Sequence, residues 1–198
     1  MTIPLTPNLL LQAYCTGHFP MASDEGVRWY NPNPRGIIPI DDRFHVPARL
    51  GRTYRSGRYT TTVDQAFGQV MRACAMPRPN QPVETWISEE FVRVYTQLHQ
   101  MGYAHSIETW QDGQLVGGLY GVAVGGLFAG ESMFSVARDA SKVALITLVA
   151  RLRRGDFVIL DTQWVTEHLA QFGAFWMPRP TYQHILTRAI QHSARWDA

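Results

Sequence analysis

The chain has 198 residues and only two cysteines, Cys15 and Cys74, with no Cys-x-x-Cys pair. This excludes a disulfide framework and thiol-based metal or redox motifs, and free thiols suit a reducing compartment. No apolar run approaches bilayer length, and the longest apolar helical stretch, Val143 to Ala150, is too short to span one. Residues Met1 to Tyr14 lack the positive start and small-residue cleavage site of a secretory signal. A soluble cytoplasmic protein is therefore expected, with a monomer as the default. His99, His105, His168, His184 and His192 are scattered singly, with no i,i+4 pair and no His-Glu-x-x-His, so no metal site is read. The formal net charge of +2 is too small to imply a polyanionic partner from overall charge. Repeats and low-complexity segments are also missing.

Forty-five per cent hydrophobic residues place the chain among globular domains, and aromatics reach 12%, a rich share. Thr6 to Tyr14 reads as a short helix beginning at Pro7. The proline-rich, aromatic passage from His18 to Gly36 forbids long elements, so an ordered loop or a very short strand pair is expected. Ile37 to Ile40 reads as an edge strand. A boundary near Arg43 would divide a small N-terminal α/β region, residues 1–42, from a larger domain, 43–198. Tyr59 to Val63 is strand-like, with Asp64 as the expected cap of a helix from Gln65 to Ala75. A proline-rich loop follows from Met76 to Pro82. Ser88 caps the next helix, Glu89 to Met101, which Gly102 ends.

A meander comes next: His105 to Trp110, an Asp112-Gly113 turn, and Gln114 to Val124, then Gly125-Gly126 and Leu127 to Gly130. Asp139 or Ser141 would cap a helix from Lys142 to Arg154. Phe157 to Leu160 reads as a strand covered on both faces, followed by helices Glu167 to Phe172 and Thr181 to Gln191. This order is that of an α+β fold, a mixed and mostly antiparallel sheet flanked by helices. It is similar to the N-acetyltransferase (GNAT) superfold.

Two polar sets stand at the ends of apolar runs. One is Glu131 in Gly130-Glu131-Ser132-Met133-Phe134-Ser135, the other Asp161-Thr162-Gln163. Two carboxylates and a carboxamide beside Leu, Phe and Met suggest chemistry on an amine or acyl group. Two-residue spacing on a strand puts Asp161 and Gln163 on one face. A coenzyme A enzyme would place a glycine-rich pyrophosphate turn before the helix at Lys142, but Ser135 to Ser141 reads SVARDAS. That chemistry becomes the rival reading, and a non-catalytic RNA- or peptide-binding module the second rival. Arg43, Arg49, Arg52, Arg55 and Arg58 crowd a segment with no acid between Asp42 and Asp64, a pattern suited to nucleic-acid phosphates.

Seven blocks taken together resemble the bacterial leucyl/phenylalanyl-tRNA–protein transferases: Trp29-Tyr30-Asn31-Pro32-Asn33-Pro34-Arg35, Thr85-Trp86-Ile87, His105 to Glu108, Leu115 to Ala123, Gly130 to Ser135, Ala140-Ser141-Lys142 and Asp161-Thr162-Gln163. The resemblance runs from about Leu9 to Ile190. Thr166 departs from it, standing where the family usually carries Asn. The family is implied to move Leu, Phe and less often Met from aminoacyl-tRNA to proteins beginning with Arg or Lys, marking them for N-degron-dependent degradation without a cofactor. The resemblance makes Asp161 and Gln163 catalytic, and the Glu131 carboxylate in its glycine-rich turn could pair with the acceptor's guanidinium or ammonium. The resemblance also puts Trp29 and Trp86 at the terminal adenosine, and for that chemistry Leu119, Tyr120, Phe128, Met133 and Phe134 are the candidates for an aminoacyl pocket. Arg43, Arg49, Arg52, Arg55 and Arg58 would then hold acceptor-stem phosphates.

Overall fold

The computed structural model describes residues 4–23, 25–77 and 86–197. Residues 78–82 of the expected proline-rich loop, and Thr85, lie outside the described residues. Thr6 caps α1 (Pro7–Cys15) by accepting from the Leu9 N–H, and the helix buries Leu10 and Tyr14. β1 (Phe19–Ser23) and β2 (Gly26–Tyr30) form a separate antiparallel pair. β3 (Arg35–Ile38), α2 (Ala48–Arg55), β4 (Thr60–Val63) and α3 (Phe67–Ala75) follow. α4 (Glu89–Gln100) is capped by Ser88 as its sequence predicts. The meander is β5 (Ala104–Gln111), β6 (Gln114–Val124) and β7 (Leu127–Ser135), with left-handed Asp112 and Gly113 making its first turn. Then come α5 (Ala140–Arg154), β8 (Ile159–Gln163), α6 (Glu167–Ala170), β9 (Phe175–Met177) and α7 (Arg179–Ala189).

Seven strands form one sheet in the order β4-β5-β6-β7-β8-β3-β9. All neighbours are antiparallel except β7 and β8. α1, α3, α4 and α7 cover one face, burying Tyr14, Phe67, Tyr95 and Tyr182 with Leu127 and Ala129. α5 and α2 cover the other with Leu50, Leu145, Leu148 and Val149 against Ile107, Phe128 and Leu160. Each such aliphatic side chain contributes about 1.5–3 kcal/mol of burial, so α5 is a main source of cohesion.

The expected edge strand is interior. β3 lies between β8 and β9, all four of its residues are buried, and the three-residue β9 takes the edge instead. Residues before the expected boundary thus belong to the large sheet. Neither aspartate expected as a cap acts as one. Asp64 and Asp139 have left-handed backbones (φ +59° and +68°), and longer-range partners claim their carboxylates. Asp139 takes both nitrogens of the Arg49 guanidinium at 2.6 and 3.0 Å. Asp64 accepts from the Ser106 N–H, His105 and the Trp196 indole.

Two irregularities shape the functional region. β7 and β8 pair only from Leu127–Ile159 to Ala129–Asp161, while β7 continues to Ser135, so a fork opens between them. Each arm of the fork carries a bulge. Tyr120 pairs with Ser132 and Gly121 with Gly130, leaving Glu131 as the extra residue. Gly36 pairs with Gln163 and Ile37 with Asp161, leaving Thr162 extra. Bulges bend a strand and re-aim its side chains, and these two do so at the predicted polar clusters.

Candidate active site

A cavity of about 700 Å³ occupies the fork. Gly130 to Ser135 of β7 and Thr162 and Gln163 of β8 line it, with Leu119, Leu145 and Leu148 among its apolar walls. The volume lies within the range of sites for drug-sized ligands, roughly 300–1,000 Å³. Met76, Trp86 and Trp164 also border it.

Gln163 enters this cavity on a strained turn. Its φ is +60°, uncommon for a side-chain-bearing residue, and the Trp164 N–H closes a three-residue turn onto the Thr162 carbonyl at 2.6 Å. The Gln163 N–H in turn donates to Asp161 Oδ1 at 2.9 Å. Gly36 permits the arrangement because a Cβ there would sit 2.4 Å from the Trp164 carbonyl carbon. The surroundings therefore impose the turn, as is usual for strain kept at a functional site.

Asp161 does not reach the same ligand space. Its side chain is 1% exposed and held by Arg35, Nε to Oδ1 at 2.8 Å and Nη2 to Oδ2 at 2.6 Å. Tyr182 adds a hydroxyl donor at 2.7 Å. The third Arg35 nitrogen, Nη1, binds the Gly17 carbonyl at 2.8 Å, and the guanidinium lies between the Phe19 and Tyr182 rings. Burial alone would lower the Arg35 pKa, but the facing Asp161 charge outweighs it and holds the group protonated. Burial, and then the Asp161 charge, push the Tyr182 phenol far above its usual range. The shared face expected for Asp161 and Gln163 is thus divided by the turn: Gln163 faces the cavity, and Asp161 fixes the turn from behind.

Glu131 lies deep in the molecule but opens onto the cavity. Its Oε1 accepts from Gln163 Nε2 at 3.4 Å and its Oε2 from the Tyr95 hydroxyl at 3.3 Å. Tyr95 shares a short hydrogen bond with Tyr14. Desolvation pushes the Glu131 carboxyl up to about 8; the Asp161 charge adds to this, while the tyrosine hydrogen bonds and Arg35 oppose it. Sequence reasoning assigned no role to Arg35, Tyr14, Tyr95 or Tyr182. The signal for Arg35 was a lone arginine opening a fully apolar strand; the tyrosines look like ordinary helix-face residues.

Leu119, Tyr120, Met133 and Phe134 line the cavity. Phe128 does not: it lies in the core on the α5 side, stacked on Trp196 at 5.4 Å and edge-on to Phe157 at 6.5 Å. The sequence-expected strand stopped at Gly130, which hid how far below the fork Phe128 sits. Trp86 borders the cavity, whereas Trp29 lies apart in a shallow groove against Leu9, Ala13 and His18 of the α1 region. The two tryptophans are not brought together. Trp164 lines the cavity, its ring packed edge-on to Phe19 at 5.0 Å and to Tyr30 at 6.2 Å.

The arginine segment is partly helical. Arg49, Arg52 and Arg55 lie three apart on α2, and Arg58 follows it against the Tyr59 ring. Arg49 is held by Asp139 and Arg43 by Asp41, while Arg52, Arg55 and Arg58 have no ion-pair partner within 4.0 Å among the described residues. The histidines read as scattered include two that meet: donor atoms of Asp64, His99 and His105 come within 4.8 Å of one another. His105 already bonds Asp64 and the Gly102 carbonyl, and His99 the Ala104 carbonyl, so the cluster serves as an internal hydrogen-bond network beneath Trp196.

Residues 37–187 match the family model for leucyl/phenylalanyl-tRNA protein transferase, and residues 4–33 match that of its N-terminal domain. A curated relative of that name from Herpetosiphon aurantiacus is 55% identical over 194 residues, 98% of this chain and 99% of the relative. One from Paramagnetospirillum magneticum is 53% identical over 197 residues, 98% and 93% of the two chains. Among solved structures the likenesses are remote. L-PGS from Bacillus licheniformis gives a TM-score of 0.48 at 11% identity, covering 80% of this chain and 65% of that one. A GCN5-related N-acetyltransferase-like protein from Streptococcus suis gives 0.41 at 14% identity, covering 85% and 63%. On the family models and curated relatives, the chain belongs to the leucyl/phenylalanyl-tRNA–protein transferase family.

Proposed function

We propose that this protein transfers leucine, phenylalanine and, less readily, methionine from aminoacyl-tRNA to the α-amine of proteins beginning with Arg or Lys, marking them for N-degron-dependent degradation. It acts as a cytoplasmic monomer; among the described residues no helix is long and apolar enough to cross a membrane. The observation that carries the reading is the cavity in the β7–β8 fork, apolar within and bordered by Gln163 and Glu131.

The aminoacyl side chain fills the space beside Leu119, Met133 and Phe134, where flexible Met133 adapts to Leu or Phe. Such a wall rejects β-branched side chains by shape. Trp86 stacks on the terminal base, and the α2 arginines hold phosphates. The ester arrives already activated, so the site needs mainly to align amine and carbonyl carbon, which can lower the barrier by roughly 7–11 kcal/mol. Gln163 orients the amine, Asp161 and Arg35 keep Gln163 on its turn, and Glu131 meets the cationic acceptor.

The coenzyme A reading has less support. The α5 N-terminus, where a pyrophosphate would sit, is taken by Ser135 Oγ on the Ser141 N–H at 3.2 Å and flanked by the Asp139 carboxylate. A donor and acceptor panel tests the proposal. Leu-, Phe- and Met-tRNA should label peptides beginning with Arg or Lys, while Val- or Ile-tRNA, and peptides beginning with Ala, should not. Equal use of Val-tRNA, or indifference to the first acceptor residue, would defeat it.

A further inference from the structure

The reaction must remove a proton from an ammonium group, since an α-amine with a pKa of about 7.7–8.0 is mostly protonated at neutral pH. Two carboxylates lie near Gln163, and only one is available. Asp161 is enclosed by Arg35, the Tyr182 hydroxyl and the Gln163 N–H, and it does not border the cavity. The Gln163 side chain is a neutral amide and barely basic. Its Nε2 is turned to Glu131 Oε1 at 3.4 Å, and no donor among the described residues takes its carbonyl oxygen, which can accept from an incoming amine. An amine bound there would lie beside the Glu131 carboxylate, carried to the cavity by the β7 bulge.

We infer that Glu131 is the catalytic proton acceptor, taking the proton of the acceptor's α-ammonium while Gln163 holds the nitrogen toward the ester. This rests on the aminoacyl-transfer reading given above. Glu131 takes one proton from the ammonium, and the freed lone pair forms the C–N bond. The carbonyl carbon then releases the ribose oxygen, which takes the nitrogen's second proton as the C–O bond breaks, and Glu131 returns its proton to water. No co-reactant is needed. The charged and titratable groups around Glu131 are Tyr14 of α1, Arg35 of β3, Tyr95 of α4, Tyr120 of β6 and Asp161 of β8. His168 of α6 is a further titratable group on the cavity wall. A carboxyl held up to about 8 is matched to an amine of similar pKa, the condition under which proton transfer is efficient.

The test measures kcat/KM against pH for wild type and Glu131→Gln, using Leu-tRNA and a peptide beginning with Arg, whose guanidinium stays charged throughout. The wild type should rise with pH and level off above about pH 8, where the amine is already free. The variant should lose about 6–11-fold at pH 7, the factor by which free amine is scarce there, and approach the wild type toward alkaline pH, because it must wait for free amine. An acceptor whose α-amine is replaced by a weakly basic aminooxy group, already neutral, should erase the variant's deficit. A deficit that is constant with pH and persists with the aminooxy acceptor would overturn the proton-acceptor role, showing that Glu131 only binds charge. Unchanged affinity of the variant for Leu-tRNA checks its fold. Should the wild type transfer no leucine at any pH, the transferase reading itself fails, which is a separate outcome.

Discussion

Replacing Arg35 by Met probes the support of the site most sharply. The change keeps a long apolar side chain between Phe19 and Tyr182 but removes the two nitrogens that bind Asp161 at 2.6 and 2.8 Å and the one that binds the Gly17 carbonyl at 2.8 Å. Asp161 would then be buried with, among the described residues, only the Tyr182 hydroxyl and the Gln163 N–H as donors. Both partners are about 1% exposed, so solvent screens little of the loss. Breaking such a pair from one side costs about 3–5 kcal/mol. With a urea slope of about 2 kcal/mol per molar, the unfolding midpoint should fall by roughly 1.5–2.5 M. Adding Asp161→Asn removes the stranded charge, so the double variant should regain at least about 1 kcal/mol over Arg35→Met alone. Leucine transfer should fall in both, because the Gln163 turn is loosened. A midpoint within about 0.3 M of wild type, or losses that simply add, would refute the claim that this pair anchors the turn.

The remaining predictions concern the cavity, the RNA surface and pH. Met133→Ala enlarges the pocket and should shift selection toward Phe-tRNA in competition with Leu-tRNA, whereas Phe128→Leu should lower the unfolding free energy by about 1–2 kcal/mol and leave that ratio unchanged. Arg52→Ala with Arg55→Ala should reduce the slope of log affinity for tRNA against log salt by about 1.4–1.8, as two lost phosphate contacts require; an unchanged slope would place the RNA elsewhere. Glu131 carries a folded-state carboxyl raised from 4.5 to about 8. The unfolded chain therefore ionises first, and stability falls as pH rises from about 4.5 to 8, then levels. Glu131→Gln should abolish that decline and raise stability at pH 8 by about 1–3 kcal/mol, with cavity water solvating the carboxylate and limiting the gain. Calorimetry at pH 4.5 and 8 would show a pH-independent difference if the reasoning is wrong.

The elements legible in the sequence were those with a local cause. Ser88 before α4, the Asp112-Gly113 turn and the apolar face of α5 each announce themselves within a few residues. What stayed hidden depends on contacts across the chain. Asp64 and Asp139 look like caps until His105, Trp196 and Arg49 take their carboxylates. β9 is too short to show a period, and β3 looks like an edge because Pro39 follows it. At the site, Gln163 bonds Glu131 through its side chain and Asp161 through its backbone N–H. Their division of labour was not visible, because it turns on the left-handed Gln163 and on Arg35, distant in sequence from Asp161. The family blocks carry Arg35 without saying what it holds. Phe128 and Trp29 show the converse: membership of a quoted block does not place a side chain at the cavity.

The central claim is that acyl transfer here runs from RNA to an α-amine with no other activating partner. Purified protein, Leu-tRNA carrying labelled leucine and a peptide beginning with Arg, without ATP or coenzyme A, test it directly by mass spectrometry of the peptide. The account predicts one leucine joined to the α-amine. Unmodified peptide with Leu-tRNA, but acetylated peptide when acetyl-coenzyme A is supplied instead, would contradict it.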